Sequence, residues 1–123
     1  MAVNRDDGSL VWITHVDDHP AAVITGSPVV AGNVIYVGVS SNEESLATDP
    51  AYPCCSFRGS VVALDAVSGR MLWKTYTVPD NGRAPDGYSG GAVWQPPAID
   101  PAAGVLYVGT GNNYDVPQSV RDC

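Results

Sequence analysis

The feature that most restricts this chain is the pattern Ala-x-Asp-x-x-x-Gly-x-x-x-Trp, carried by Ala63, Asp65, Gly69 and Trp73. An apolar run from Ser60 to Leu64 meets a polar cluster at Asp65 to Gly69 and resumes as Met71-Leu72-Trp73. Period-two apolar runs interrupted by Asp, Ser and Gly predict a strand, a tight turn and a second strand. Trp73 is too large to leave in water and should pack on neighbouring backbone. The pattern also recurs. Shifted by 61 residues, Ala2, Gly8, Leu10-Val11-Trp12 and Thr14 fall on Ala63, Gly69, Met71-Leu72-Trp73 and Thr75, with Asn4 in place of Asp65. A fainter repeat sets Ser27-Pro28-Val29-Val30 and Val34-Ile35-Tyr36-Val37-Gly38 against Pro96-Pro97-Ala98-Ile99 and Val105-Leu106-Tyr107-Val108-Gly109. Repeats on this scale mean a solenoid, a propeller or an array.

The pattern resembles the tryptophan-docking repeat of quinoprotein β-propellers, the fold that holds pyrroloquinoline quinone (PQQ). The resemblance implies an all-β, partial β-propeller: one full four-stranded blade and parts of two neighbours, from an eight-bladed ring. The full blade is expected over 25–78, with strands near 28–31, 33–39, 60–65 and 70–77 and an insertion at 42–57. Without the 16 residues of that insertion the repeat shift falls to 45, near the blade period of ~40–45. Residues 1–16 then end one blade and 92–123 begin the next. A ring needs roughly 4–8 blades, so the chain is expected to be a fragment of a longer protein.

Bulk properties narrow the partners. Thirteen acidic against six basic residues give a net charge of −7, which argues against nucleic acid and anionic membrane surfaces. No run approaches the ~18 apolar residues of a membrane span, and the first residues lack the apolar core of an export signal. The resemblance implies a periplasmic full-length parent, with its signal upstream. Gly and Pro make up 23 of 123 residues, which suits an all-β protein rich in turns. Cys54, Cys55 and Cys123 cannot all pair within the chain, and no Cys-x-x-Cys-His attaches a haem. Residues 13–24, with His15 and His19 around Asp17-Asp18, read as a solvated connector rather than a metal site.

From Thr25 onward the chain is similar to the large quinoprotein alcohol dehydrogenases. In that family a threonine before a blade-opening proline bonds a cofactor carboxylate. A serine fifteen residues later contacts the quinone, and a glutamate three beyond it ligates calcium. These offsets land on Thr25, Ser40 and Glu43, with Ser41 competing for the serine role. Glu43 offers the anionic oxygen that calcium prefers, although Glu43-Glu44 also reads as a solvated loop pair. Gly90-Gly91-Ala92-Val93-Trp94 resembles the glycine run before the tryptophan that floors PQQ. Eighteen residues on, Asn112 stands where the family uses an amide oxygen on calcium. A flat tricyclic quinone needs an aromatic face, and an indole is the largest.

Adjacent cysteines across a trans peptide lie about 3.8 Å apart at Cα, below the usual disulfide range of ~4.4–6.8 Å. The family holds such a pair against PQQ, on an earlier stretch than Cys54-Cys55. A cofactor-covering disulfide, a loop staple and free thiols therefore all remain open. Arg58 reads either as facing the anions of the site or as a surface ion pair. No catalytic residue is assigned, because the family's catalytic aspartate comes from a later blade.

Tyr52-Pro-Cys-Cys-Ser-Phe-Arg-Gly59 and Leu72-Trp-Lys-Thr-Tyr76 are most similar to the polyvinyl-alcohol dehydrogenase type. The implied function is PQQ- and calcium-dependent oxidation of small or polymeric alcohols, with an electron acceptor such as a cytochrome c. The alternative is a non-enzymatic propeller that scaffolds outer-membrane assembly, which keeps the docking repeat without Glu43, Trp94 and Asn112.

Overall fold

A computed structural model describes residues 1–80 and 87–117. Cys123 and most of the Pro/Gly loop between Tyr76 and Tyr88 lie outside the described residues. The centre is an antiparallel sheet of β4 (Val29–Ala31), β5 (Val34–Ser41), β6 (Ser60–Asp65) and β7 (Met71–Tyr76). Val29 pairs with Tyr36, Tyr36 with Ala63, and Ala63 with Trp73, so one register line crosses all four strands. A short β3 (Ala22–Val23), absent from the sequence reading, pairs with the far end of β5 through Ser40 and Ser41. β1 (Ala2–Val3) with β2 (Leu10–Trp12), and β9 (Ala98–Asp100) with β10 (Val105–Tyr107), form hairpins on either side. β8 (Ser89–Gly90) pairs with β11 (Asn113–Asp115). The insertion contributes one four-residue helix, α1 (Glu43–Leu46).

β6 reads Ser-Val-Val-Ala-Leu-Asp and is buried at its first five positions. A continuous apolar run of that kind belongs to a strand covered on both faces. Val37, Val39, Phe57, Val62, Leu64 and Ala92 form the buried cluster, with Trp12, Val16 and Ile35 packed against it. Phe57, from the insertion, is fully buried, so the end of that loop belongs to the core.

The repeated turn explains how neighbouring blades join. Asp65 Oδ1 accepts from the amides of Val67 (3.1 Å) and Ser68 (2.7 Å) and from the Ser68 hydroxyl (2.7 Å). The Ser68 hydroxyl and then its amide hold the Asp65 carboxyl below the usual aspartate range. The Gly69 amide donates to Asp65 O at 2.8 Å, with Gly69 at φ +71°. Asn4 and Gly8 reproduce these bonds: Gly8 N to Asn4 O at 2.8 Å, and Asp6 N to Asn4 Oδ1 at 2.9 Å. An amide oxygen thus replaces the carboxylate without changing the turn.

Trp12 of the preceding blade lies on the Asp65–Gly69 turn. Its Nε1 donates to Ala66 O at 3.2 Å, and the Thr14 hydroxyl donates to Gly69 O at 2.6 Å. A Cβ on Gly69 would stand 2.5 Å from the Trp12 ring, whereas one on Gly8 meets nothing within 4 Å. Trp73, the second copy of the motif, tilts against Tyr36 (centroids 5.9 Å apart) and stays 42% exposed.

The connector 13–24 is more firmly held than a solvated strap. Lys74 Nζ donates to Val16 O and pairs with Asp17, whose side chain is only 9% exposed. His15 is exposed beside Asp18, but His19 is nearly buried and meets Phe57 edge-on at 5.5 Å. Burying the end of the insertion draws His19 inward with it.

Gly69→Ala in the full-length protein is expected to cost about 3 kcal/mol, from a strained positive φ and the clash with Trp12. Val67→Ala, at the exposed tip of the same turn, is expected to cost less than ~0.5 kcal/mol. Urea unfolding midpoints of the two variants check this.

Candidate functional site

The loops after β5 and before β9 meet at one end of the sheet. Val93 N donates to Val39 O (3.1 Å), Gly111 N to Ala92 O (2.8 Å) and Gly91 N to Asn112 O (2.9 Å). Together these bonds fix the backbone of residues 91–93 that leads into Trp94. The Thr25 hydroxyl donates to Trp94 O at 3.2 Å. A Cβ on Gly26 would lie 3.0 Å from that same carbonyl. The indole itself remains 58% exposed, and its Nε1 lies 3.9 Å from where Gly111 would carry a Cβ. Thr25, Trp94 and Asn112 therefore share one backbone-bonded cluster, with a free aromatic face beside glycine.

The acidic loop reaches this cluster through two residues that spacing did not mark, Tyr114 and Glu44. Tyr114 Oη lies 3.3 Å from Ser41 Oγ, and the Ser41 hydroxyl accepts from Glu43 N at 3.3 Å. Asn112 Nδ2 lies 3.5 Å from Glu44 Oε1 and 3.3 Å from Asn113 O. Ser40 is 6% exposed and pairs with Val23; Ser41 is the serine that links the two loops.

Glu43 faces the other way. Its side chain is fully buried, with Oε1 accepting from Tyr52 Oη (3.1 Å) and Ser56 N (2.8 Å). Oε2 accepts from Phe57 N at 2.8 Å. Glu43 and Asn112, expected to share a cation, have no hydrogen-bond partner in common, and the carboxylate beside Asn112 is that of Glu44. No group of three or more His, Cys, Asp or Glu side chains at metal-binding spacing occurs among the described residues. The Trp94 cluster fits a flat quinone, whereas the Glu43–Asn112 pair as arranged does not fit a shared calcium ion.

Cys54 and Cys55 form a disulfide across a cis peptide bond, with Cα atoms 3.0 Å apart. The trans spacing assumed from sequence does not apply, and the free-thiol reading falls. Cys55 is buried and Cys54 exposed. Arg58 Nη2 donates to Val78 O at 3.1 Å, Nη1 pairs with Asp80 at 3.4 Å, and the guanidinium stacks 3.9 Å over the Tyr76 ring. Its observed partners are thus the Tyr76–Asp80 segment, with Nε buried and unpartnered.

A four-stranded antiparallel sheet that receives a tryptophan from the preceding blade is a unit of a β-propeller, and the exposed indole lies on one end of it. Residues 5–119 match the family described as glucose/ethanol/alcohol dehydrogenase, beta-propeller domain, and the chain belongs to that family. It is 41% identical over 123 residues to a polyvinylalcohol dehydrogenase of Pseudomonas sp., covering 93% of this chain and 19% of that protein. A polyvinylalcohol dehydrogenase of Sphingopyxis sp. (strain 113P3) is 43% identical over 132 residues, covering 99% of this chain and 20% of that protein. Among solved structures, the quinohemoprotein alcohol dehydrogenase ADHIIG of Pseudomonas putida HK5 superposes with a TM-score of 0.69 at 26% identity. That match covers 90% of this chain and 18% of the other. The chain thus spans about a fifth of the length of these relatives. No helix among the described residues is long and apolar enough to cross a membrane.

Burial, followed by the Glu43 charge and the hydrogen bond to it, raises the Tyr52 pKa. Burial is also the main cause of the rise at Tyr114, with the Glu44 and Glu43 charges adding to it against the Ser41 hydrogen bond. Both phenols keep their protons longer in the folded state than in the unfolded one. Their contribution is therefore complete below the ordinary tyrosine pKa of about 10 and is lost as pH rises through the raised values. Stability measured from pH 8 to 11 should decline above about pH 10, and Tyr52→Phe and Tyr114→Phe should each flatten the decline.

Proposed function

We propose that the full-length protein is a PQQ-dependent alcohol dehydrogenase and that this chain supplies the floor of its quinone site. The observation that carries the reading is the exposed Trp94 indole, on backbone bonded to Thr25, Val39 and Gly111. Bound there, the quinone would supply the two-electron acceptor for oxidation of an alcohol carbon. Trp94 offers the stacking face, and Gly111 lets the ring approach it closely. Thr25, Ser40 and Ser41 are the hydroxyls available to orient polar groups on the ring, and Asn112 is the amide at its edge. The Cys54–Cys55 disulfide is proposed as part of the site wall.

Calcium, implied by the family resemblance, would compete for a Glu43 carboxylate that already accepts from Ser56 N and Phe57 N, so no step is routed through it. The relatives named polyvinylalcohol dehydrogenase support alcohols, polymeric ones included, as the substrate class. A relative named quinohemoprotein alcohol dehydrogenase, 31% identical over 142 residues, supports a cytochrome-type acceptor. The periplasm is the compartment proposed, where a disulfide persists.

In the full-length protein, Trp94→Ala should weaken PQQ binding roughly tenfold, the ~1.4 kcal/mol of a lost aromatic face. PQQ-dependent dye reduction should fall with it, while Val67→Ala leaves both unchanged. Equal PQQ titrations for Trp94→Ala and the parent would defeat the proposal.

A further inference from the structure

The carboxylate of Glu43 is fully buried, accepts three hydrogen bonds and does not open on the proposed quinone site. We infer that Glu43 is a positioning residue: it clamps the Tyr52–Phe57 segment, and through it the Cys54–Cys55 disulfide, onto the end of β5. It does so in place of the cation-ligating role that its spacing suggests.

Three donors converge on this carboxylate from a single short segment, the Tyr52 hydroxyl and the amides of Ser56 and Phe57, at 3.1, 2.8 and 2.8 Å. The two amides belong to the residues that directly follow Cys55. They divide between the two carboxylate oxygens, a fork that fixes orientation as well as position. His19 closes the far side. Its Nδ1 accepts from Ala21 N at 3.2 Å, which leaves Nε2 to face Ser56 Oγ at 3.1 Å and Glu43 Oε1 at 3.7 Å. Phe57, beside the clamp, is wholly buried.

The other end of Glu43 is tied to the site: its own amide donates to Ser41 Oγ, which meets Tyr114 Oη two residues beyond Asn112. The side chain therefore joins the disulfide loop to the frame that carries the Trp94 cluster. A cation bound to Glu43 would compete for oxygens that already accept from two backbone amides, and leaving such amides unpaired in a buried place is costly.

Glutamine at this position separates the two roles. It has one acceptor oxygen, so its NH₂ must face either the Ser56 or the Phe57 amide, donor against donor. The test uses full-length protein free of PQQ and treated with EDTA, so that its outcome is independent of the quinone reading. Hydrogen–deuterium exchange of the peptide covering 52–58 is measured, together with the rate at which dithiothreitol reduces Cys54–Cys55.

Glu43→Gln should speed exchange at Ser56 and Phe57 and disulfide reduction at least tenfold, with β6 and β7 peptides unchanged. Tyr52→Phe, which removes one donor and leaves both amides bonded, should give a smaller increase of about threefold. Adding calcium to the parent protein should change neither rate. Parent-like rates in both variants, or slowing of the parent by calcium that Glu43→Gln abolishes, would overturn the inference. If Glu43→Gln fails to fold, Tyr52→Phe decides alone: unchanged exchange at Ser56 overturns the inference.

Discussion

Everything in this structure depends on the seating of the Trp12 indole on the backbone of the Asp65–Gly69 turn. A single open sheet of four short strands covers neither of its own faces and must bury one against another element. The tryptophan of the preceding blade supplies part of the missing cover, with its Nε1 bonded to Ala66 O and its ring against a position where no Cβ fits. The contact works because the turn holds its shape without help. Asp65 ties down the amides of Val67 and Ser68, and Gly69 takes the left-handed conformation at no steric cost. A rigid turn and a flat ring then join neighbouring blades through main-chain groups, which tolerates change at most surrounding side chains. Asn4, standing where the second copy has Asp65, shows how little the turn asks of the side chain beyond one oxygen.

The far end of the same sheet uses a different principle. There the chain gathers polar groups and satisfies them almost entirely with its own donors. Trp94 is held by bonds to its carbonyl and to its neighbours, not to its ring, so the aromatic surface stays free while its frame stays fixed. Glu43 is the opposite case, with its charge committed inward to the disulfide loop. Between them, Ser41, Tyr114, Glu44 and Asn112 form a bridge of long contacts, 3.3 to 3.5 Å.

The disulfide loop also shows why an insertion in a repeat need not be a surface ornament. Apart from the buried Glu43 its helix and early turns are largely exposed, but its last residues, Cys55 to Phe57, return to the core. Gly59 N then donates to Gly90 O, and Gly90 N to Phe57 O, so the insertion's exit pairs with the strand leading to Trp94. One irregular segment thus carries the acidic loop at its start and bonds the strand leading to Trp94 at its exit.

Amino-acid order alone determined the repeat, the turn and the four strands of the central sheet, because period-two burial and turn chemistry are local properties that neighbouring residues impose on one another. It also named Thr25, Trp94 and Asn112, which the fold brings together through the Thr25–Trp94 and Gly91–Asn112 bonds. Only the tertiary structure decided the direction of Glu43, the partners of Arg58 and the inclusion of Tyr114, Glu44 and His19. Those outcomes depend on which buried donor or charge lies nearest across the fold, and that neighbour is set by packing between segments that no sequence spacing records.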